Sequence, residues 1–147
     1  VLYWHKELFS ITNPGIAGRI RAHGVAISGS KFIPPLPVEI GLLLREFFKR
    51  YGKYKDKVHP VELAALVHLN FVTIHPFADG NGRISRIMMN FVLKQFHYPL
   101  LDITYEKRNS YYNALERSQV KKDEKIFVQW FIKKYIKENN KYTKKTR

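Results

Sequence analysis

The chain alternates between helical stretches of apolar residues and short polar breaks. Residues 61–74 read Val-Glu-Leu-Ala-Ala-Leu-Val-His-Leu-Asn-Phe-Val-Thr-Ile, apolar on almost every face. A helix without a polar face belongs at the centre of a domain. Residues 84–96 repeat the pattern with Ile87, Met88, Phe91, Val92 and Phe96, until Tyr98-Pro99 stops it. Residues 38–51 put Leu42, Leu43, Phe47 and Phe48 on one side and Arg45, Lys49 and Arg50 on the other, an amphipathic helix. At His59-Pro60 the proline takes a first-turn position, where its missing N–H is harmless. A short helix is expected over residues 2–10, and two more over 104–119 and 124–140. Asn13-Pro14-Gly15 marks a turn. Residues 20–32 differ: Gly24, Gly29, Val25 and Ile27 predict a small hairpin or exposed extended segment, ended by Pro34, Pro35 and Pro37. The expected fold is therefore all-α, one compact helical bundle over residues 1–140 with a single small β element, and no internal repeat. A basic tail at residues 141–147 is expected to be disordered.

Composition narrows this. With 147 residues and 45% hydrophobic content the chain is long enough for one globular core. It has no cysteine, which excludes disulfides, thiolate catalysis and cysteine-bound zinc. No run is long and apolar enough to span a membrane. Trp4, His5, Lys6 and Glu7 leave no room for a signal peptide at the start, so a cytoplasmic location is expected. The chain begins at Val1 in helix-like sequence, which suggests a piece of a longer protein. The net charge of +14 is uneven: residues 121–147 hold ten Lys or Arg against Asp123, Glu124 and Glu138. That stretch reads first as a solvated helix face with a lysine tail; the rival reading is a nucleic-acid-binding helical domain.

The break between the two most apolar stretches carries the chemistry. Residues 75–86 read His-Pro-Phe-Ala-Asp-Gly-Asn-Gly-Arg-Ile-Ser-Arg. Gly80 and Gly82 allow a ligand close to backbone N–H groups. The helix expected to start near Arg83 offers unpaired donors and a positive dipole end. It carries Arg83 and Arg86 at its start, against the dipole preference of about 0.3–1 kcal/mol per charge. An external anion would satisfy both, and arginine forks match phosphate oxygens. Asn81 can donate to a phosphate oxygen or cap the helix. Asp79 beside a phosphate site calls for a cation, and Mg²⁺ binds through one or two carboxylates plus substrate phosphates. His75, at the other end of the loop, is a natural base for an attacking hydroxyl. Together these describe phosphoryl or nucleotidyl transfer. Each residue alone has a plainer reading, such as a turn, a cap or a core histidine; their coincidence in one loop favours the site.

The same twelve residues match the Fic signature, His-Pro-Phe-x-[Asp/Glu]-Gly-Asn-[Gly/Lys]-Arg-x-x-Arg, at every fixed position. The chain thus resembles the Fic family. Residues 18–35 resemble the family's flap, His59-Pro60-Val61-Glu62 and the helix after it the pre-motif helix, and residues 108–119 with Tyr111-Tyr112 the nucleotide-side helix. The resemblance implies the Fic fold, with a β-hairpin flap at about 19–35 over the active site. It implies a protein adenylyltransferase, moving AMP from ATP to a Ser, Thr or Tyr hydroxyl of a target protein. In that assignment His75 is the general base and Asp79 binds Mg²⁺, with Mn²⁺ as an alternative. Gly80, Asn81, Gly82 and Arg83 hold the α- and β-phosphates, and Arg86 the γ-phosphate. Phe77 anchors the loop. Tyr111, Tyr112 and Gln119 lie on the adenine and ribose side, although relatives carry Asn where this chain has the longer Gln119. The flap residues Val25, Ala26, Ile27, Ser28, Gly29 and Ser30 would dock an extended target segment as an added strand. Relatives that act as kinases carry Lys at the position of Gly82, and phosphocholine-transferring relatives depart at Gly80 and Arg86; this chain does neither.

Many family members restrain themselves with a [Ser/Thr]-x-x-x-Glu-[Gly/Asn] helix whose Glu pairs with the second motif arginine. Here only Glu138 is followed by Asn or Gly, and Lys134 stands four residues before it. The expected partners are therefore a target protein, an inhibitory helix or antitoxin supplying a Glu to Arg86 from elsewhere, and a second copy as in family homodimers. Membrane and nucleic acid are not expected. The alternatives within the family are another nucleotide donor or AMP removal by a longer form of the protein. Arg86 should have no intramolecular Glu partner, so this chain should bind ATP without restraint. An ATP titration checks this, and an absence of Mg²⁺-dependent binding would contradict it.

Overall fold

The computed structural model describes residues 1–103 and 108–143. Among them the chain forms six helices: α1 (Leu2–Phe9), α2 (Pro37–Tyr54), α3 (Pro60–Ile74), α4 (Asn81–Gln95), α5 (Arg108–Lys121) and α6 (Glu124–Thr143). As the apolar pattern requires, α3 is the central element. Ala64, Ala65, His68 and Phe71 lose all contact with solvent. The helix packs against α4 on one side, α6 on another and α2 on a third. Phe71 meets Phe47 of α2 and Phe77 of the following loop, so one ring joins the core to the loop.

The helix ends follow local chemistry. Pro60 begins α3, and the His59 ring accepts the Val61 N–H at 3.3 Å. Pro37 begins α2, with the Glu39 carboxylate accepting the Leu36 N–H at 2.6 Å. After α4, His97 turns left-handed and the Tyr98 N–H reaches back to the Leu93 carbonyl, a Schellman ending. Lys122 does the same between α5 and α6, and Asp123 then caps α6 by accepting the Lys125 N–H. Asn90 exchanges two hydrogen bonds with the backbone of Leu101, which fastens the stretch after α4 to that helix. Arg50 and Glu124 pair through two bonds of 2.7 and 2.6 Å and join α2 to the start of α6.

Three expectations need correction. The hairpin is absent: among the described residues there is no strand, and residues 19–35 run without helix or ladder. A two-stranded ribbon alone is marginal in water, and Pro34 and Pro35 remove two donors it would need. The segment is held instead by the Arg21 side chain, described below. Secondly, α4 begins at Asn81, two residues earlier than expected, so Arg83 lies in its first turn and Arg86 in its second. Thirdly, α6 continues to Thr143, through the first residues of the expected tail; residues 144–147, like 104–107, lie outside the described residues. Among the described residues no helix is long and apolar enough to cross a membrane.

Since α3 organises the core, truncating its central ring should be costly. Phe71→Ala should lower unfolding stability by about 3–5 kcal/mol. Urea denaturation should show this as a lower midpoint with an unchanged slope.

Candidate active site

The site begins where α3 must stop. Pro76 cannot continue a helix, and His75 closes α3 in the left-handed region at φ 52°, its N–H on the Phe71 carbonyl. A non-glycine residue there is strained by about 1–3 kcal/mol and persists only when its surroundings hold it. Two contacts hold it. The His75 ring has Nδ1 at 3.2 Å from the Val72 carbonyl, so Nδ1–H donates and Nε2 keeps its lone pair. The His75 carbonyl accepts the Nε–H of Arg21 at 2.7 Å.

Arg21 is a residue bonded to the site's backbone that sequence reasoning passed over. Only 4% exposed, it donates from its other nitrogens to the carbonyls of His23 (3.0 Å) and Pro35 (2.6 Å), while its own N–H donates to Pro76. One guanidinium thus ties both ends of the flap segment to the backbone of His75. Burial lowers its pKa below the usual value. In turn, burial holds the His75 imidazole below the ordinary histidine range, with the Arg21 cation adding to the shift; the Val72 bond and Asp79 oppose it. The neutral form of His75 is thereby favoured. No local sequence signal separates Arg21 from exposed Arg19 two residues earlier.

Beyond Pro76 the loop is braced from within. The buried Asn81 side chain accepts the Phe77 N–H at 2.9 Å and donates to the Phe77 carbonyl at 2.8 Å. Its amide is committed to the loop, and its backbone N–H is among the first-turn donors of α4 that no side chain caps. Phe77 is buried against Phe71 and against His5. Gly80 caps α4 at φ 81°, and a Cβ there would lie 2.6 Å from the Phe9 ring. Only glycine fits both conditions. No side chain caps α4, and its first turn holds no acid. Arg83 lies over the Phe9 ring and donates to Asp79 at 3.1 Å. Among the described residues no carboxylate pairs with Arg86; its guanidinium stands over Gly82 and faces the Tyr111 hydroxyl. A cavity of about 560 Å³ opens beside both arginines, bounded by Leu8, Asn90, Phe91 and Asp102.

The remaining predicted residues divide. Tyr111 is a core residue: its hydroxyl lies 2.9 Å from Nε2 of fully buried His68. Burial pushes Tyr111 up to about 12, and burial with the nearby Arg86 cation pushes His68 down to about 3, so both are neutral around neutral pH. Tyr112, 53% exposed and 5.0 Å from the Tyr111 ring, presents an open aromatic face. Gln119 is buried and donates to Thr73 two residues before His75. In the flap, Val25, Ile27 and Ser30 are half-buried while Ala26, Ser28 and Gly29 are exposed. The Lys31 N–H donates to Glu116 of α5 at 3.1 Å, which fastens the far side of the flap.

The fit to a metal is limited and specific. Among the described residues no three His, Asp or Glu side chains gather into a cage. Asp79 is 66% exposed at its side chain and stands alone at the loop's mouth. That suits Mg²⁺, which keeps water and takes phosphate oxygens with one carboxylate, and does not suit a metal held by protein alone.

Comparison with known proteins bears on the family and the fold. A family model described as Fic/DOC family matches residues 1–93. "Protein adenylyltransferase Fic" of Drosophila yakuba is 37% identical over 117 residues, 79% of this chain; the protein of the same name from Drosophila melanogaster matches to the same extent. The chain spans 23% of the length of these relatives. Among solved structures, Fic-1 of C. elegans covers 97% of this chain and 41% of its own, with a TM-score of 0.83 and 26% identity. A Fic domain containing signaling protein from Bacteroides thetaiotaomicron covers 93% of this chain and 59% of its own, with a TM-score of 0.79 and 29% identity.

The Arg21 charge disfavours the imidazolium form of His75, so removing it should raise the His75 pKa. In an NMR titration wild-type His75 should titrate below the ordinary value of about 6.5. Arg21→Met should move it upward, with faster amide exchange over residues 22–35. An unmoved His75 would contradict the link.

Proposed function

The chain belongs to the Fic/DOC family, and we propose that it is a protein adenylyltransferase, which moves AMP from ATP to a Ser, Thr or Tyr hydroxyl of a target protein and releases pyrophosphate. The observation that supports this best is the joint placement of a neutral histidine with a free Nε2 and an uncapped helix start carrying two arginines. In this reading Nε2 of His75 takes the proton of the target hydroxyl. The hydroxyl oxygen then bonds to the α-phosphorus, and the bond from that phosphorus to the bridging oxygen breaks. Charge that builds on the phosphates meets the backbone N–H groups of Asn81, Gly82 and Arg83 and the Arg83 guanidinium, held in the turn that Gly80 begins. Arg86 takes the γ-phosphate. Mg²⁺ held by Asp79 would supply charge neutralisation across the phosphates. Asp79 is free to serve, since its present pair with Arg83 is exposed and such pairs contribute about 0–1 kcal/mol.

The base would lie next to Tyr112, the one predicted aromatic with an open face. The target would lie along the flap, whose alternating exposure from Val25 to Ser28 suits an added strand. Arg86 is also where a regulatory Glu from an inhibitory helix or a separate protein would bind, in competition with the γ-phosphate.

Incubation with ATP labelled at the α- or the γ-phosphate tests the reading. Label should reach protein from the α position only, and His75→Ala should lower the rate by about 10²–10⁴-fold, the usual contribution of a general base. Transfer from the γ position would mean a kinase. Transfer that survives in His75→Ala would remove His75 from the mechanism.

A further inference from the structure

We propose that His5, on α1 and distant in sequence from the loop, is the positioning residue that fixes the direction of the Asp79–Gly80 peptide and hence the polarity of the phosphate-binding turn. This rests on the reading of that turn as the phosphate site.

The tautomer of His5 follows from its two partners. The Gly18 N–H donates to Nδ1 at 3.0 Å, so Nδ1 carries no proton. Nε2 lies 3.0 Å from the Asp79 carbonyl, which can only accept, so Nε2 carries the proton and donates it. The ring is fully buried and cannot exchange these partners for water. It is stacked on Phe77 at 3.7 Å between centroids and 15° between planes, with Phe9 on another side at 4.8 Å. Orientation, tautomer and position are therefore all determined.

What this controls is a choice that sterics leave open. Gly80 has no Cβ, so the peptide before it can rotate to aim either its N–H or its carbonyl toward a given side. With the carbonyl turned outward, the turn would present an oxygen to an anion and repel it. The His5 bond holds the Asp79 carbonyl inward. The Gly80 N–H is correspondingly held against the Asp79 carboxylate. Phe9, one turn on from His5 in α1, closes the remaining freedom: it fills the space a Gly80 side chain would need and lies 4.7 Å below Arg83. One helical turn of α1 thus holds Phe77, Asp79, Gly80 and Arg83. Through Gly18 the same imidazole also fixes the turn that leads to Arg21, the residue that holds His75.

The chemistry allows the two bonds to be separated. Asn places a polar atom where His carries Nδ1, and Gln places an N–H where His carries Nε2. In this chain, His5→Gln keeps a donor for the Asp79 carbonyl and loses the Gly18 acceptor; His5→Asn does the reverse; His5→Phe keeps the stacking alone. The readouts are amide exchange by NMR at Phe77 and Gly80, whose N–H groups are bonded within the loop, affinity for Mg·ATP, and melting temperature. His5→Gln should keep amide protection and bind Mg·ATP within about threefold of wild type, while His5→Asn and His5→Phe lose protection and weaken binding by about tenfold to a hundredfold, as expected when a remote change misplaces a binding group. The difference between Gln and Asn should remain at temperatures where both are folded. Equal losses in Gln and Asn, following equal falls in melting temperature, would make His5 a packing residue and overturn the proposal. So would an Asn or Phe variant with wild-type exchange and affinity. If wild type itself fails to bind Mg·ATP, the phosphate reading fails, and the exchange pattern still decides whether His5 fixes the peptide.

Discussion

The buried amide of Asn81 and the two backbone groups of Phe77 form the closure on which the site depends. Leaving either Phe77 group without a partner in the core would cost roughly 1–3 kcal/mol. Both are satisfied by one side chain four residues on, so the loop has a single inexpensive shape. That shape sends Phe77 inward and turns Gly80 left-handed. It also starts α4 at Asn81, with no acid in the first turn. The gap between the most buried helix of the domain and its neighbour is thereby converted into a rigid cup of backbone donors. Rigidity comes from α3 and α4 packing on each other, and the chemistry comes from what the cup leaves unpaired.

The charge gathered around it is mostly positive. Arg21 is buried with carbonyl partners, Arg83 pairs with an exposed carboxylate, and Arg86 meets a neutral hydroxyl whose own partner, His68, is neutral too. Such an arrangement is unfavourable unless an anion completes it. Of these cations Arg21 assists burial in lowering the His75 pKa. Basic residues on α6 are a separate matter: Lys125, Lys133 and Lys137 are exposed, Lys134 is buried and pairs with Glu138, and nothing in the site requires them.

Much of this was legible in the sequence, for identifiable reasons. The helical periods of α2, α3 and α4 are carried by residues whose burial decides their place, so the order of elements followed from the pattern. The loop was legible because its glycines, proline and charges have few other uses in combination. Residues 19–35 were misread as a hairpin, since glycine and β-branched content describes a chain that can be extended without saying what it pairs with. The answer was a side chain, Arg21, whose three carbonyl partners come from positions up to 54 residues away. Such long-range bonds leave no local trace. For the same reason nothing local foretold that the Asn81 side chain, read as a phosphate donor or a helix cap, bonds both backbone groups of Phe77, and His5 carried no signal at all.

The central claim is that the turn binds phosphate through backbone N–H groups while the Asn81 side chain braces it. Amide NMR on addition of Mg·ATP tests this most directly. The backbone amides of Asn81, Gly82 and Arg83 should shift strongly, and the side-chain NH₂ of Asn81 should stay close to its position in the free protein. A large shift of that NH₂ with little change in the three backbone amides would contradict the account.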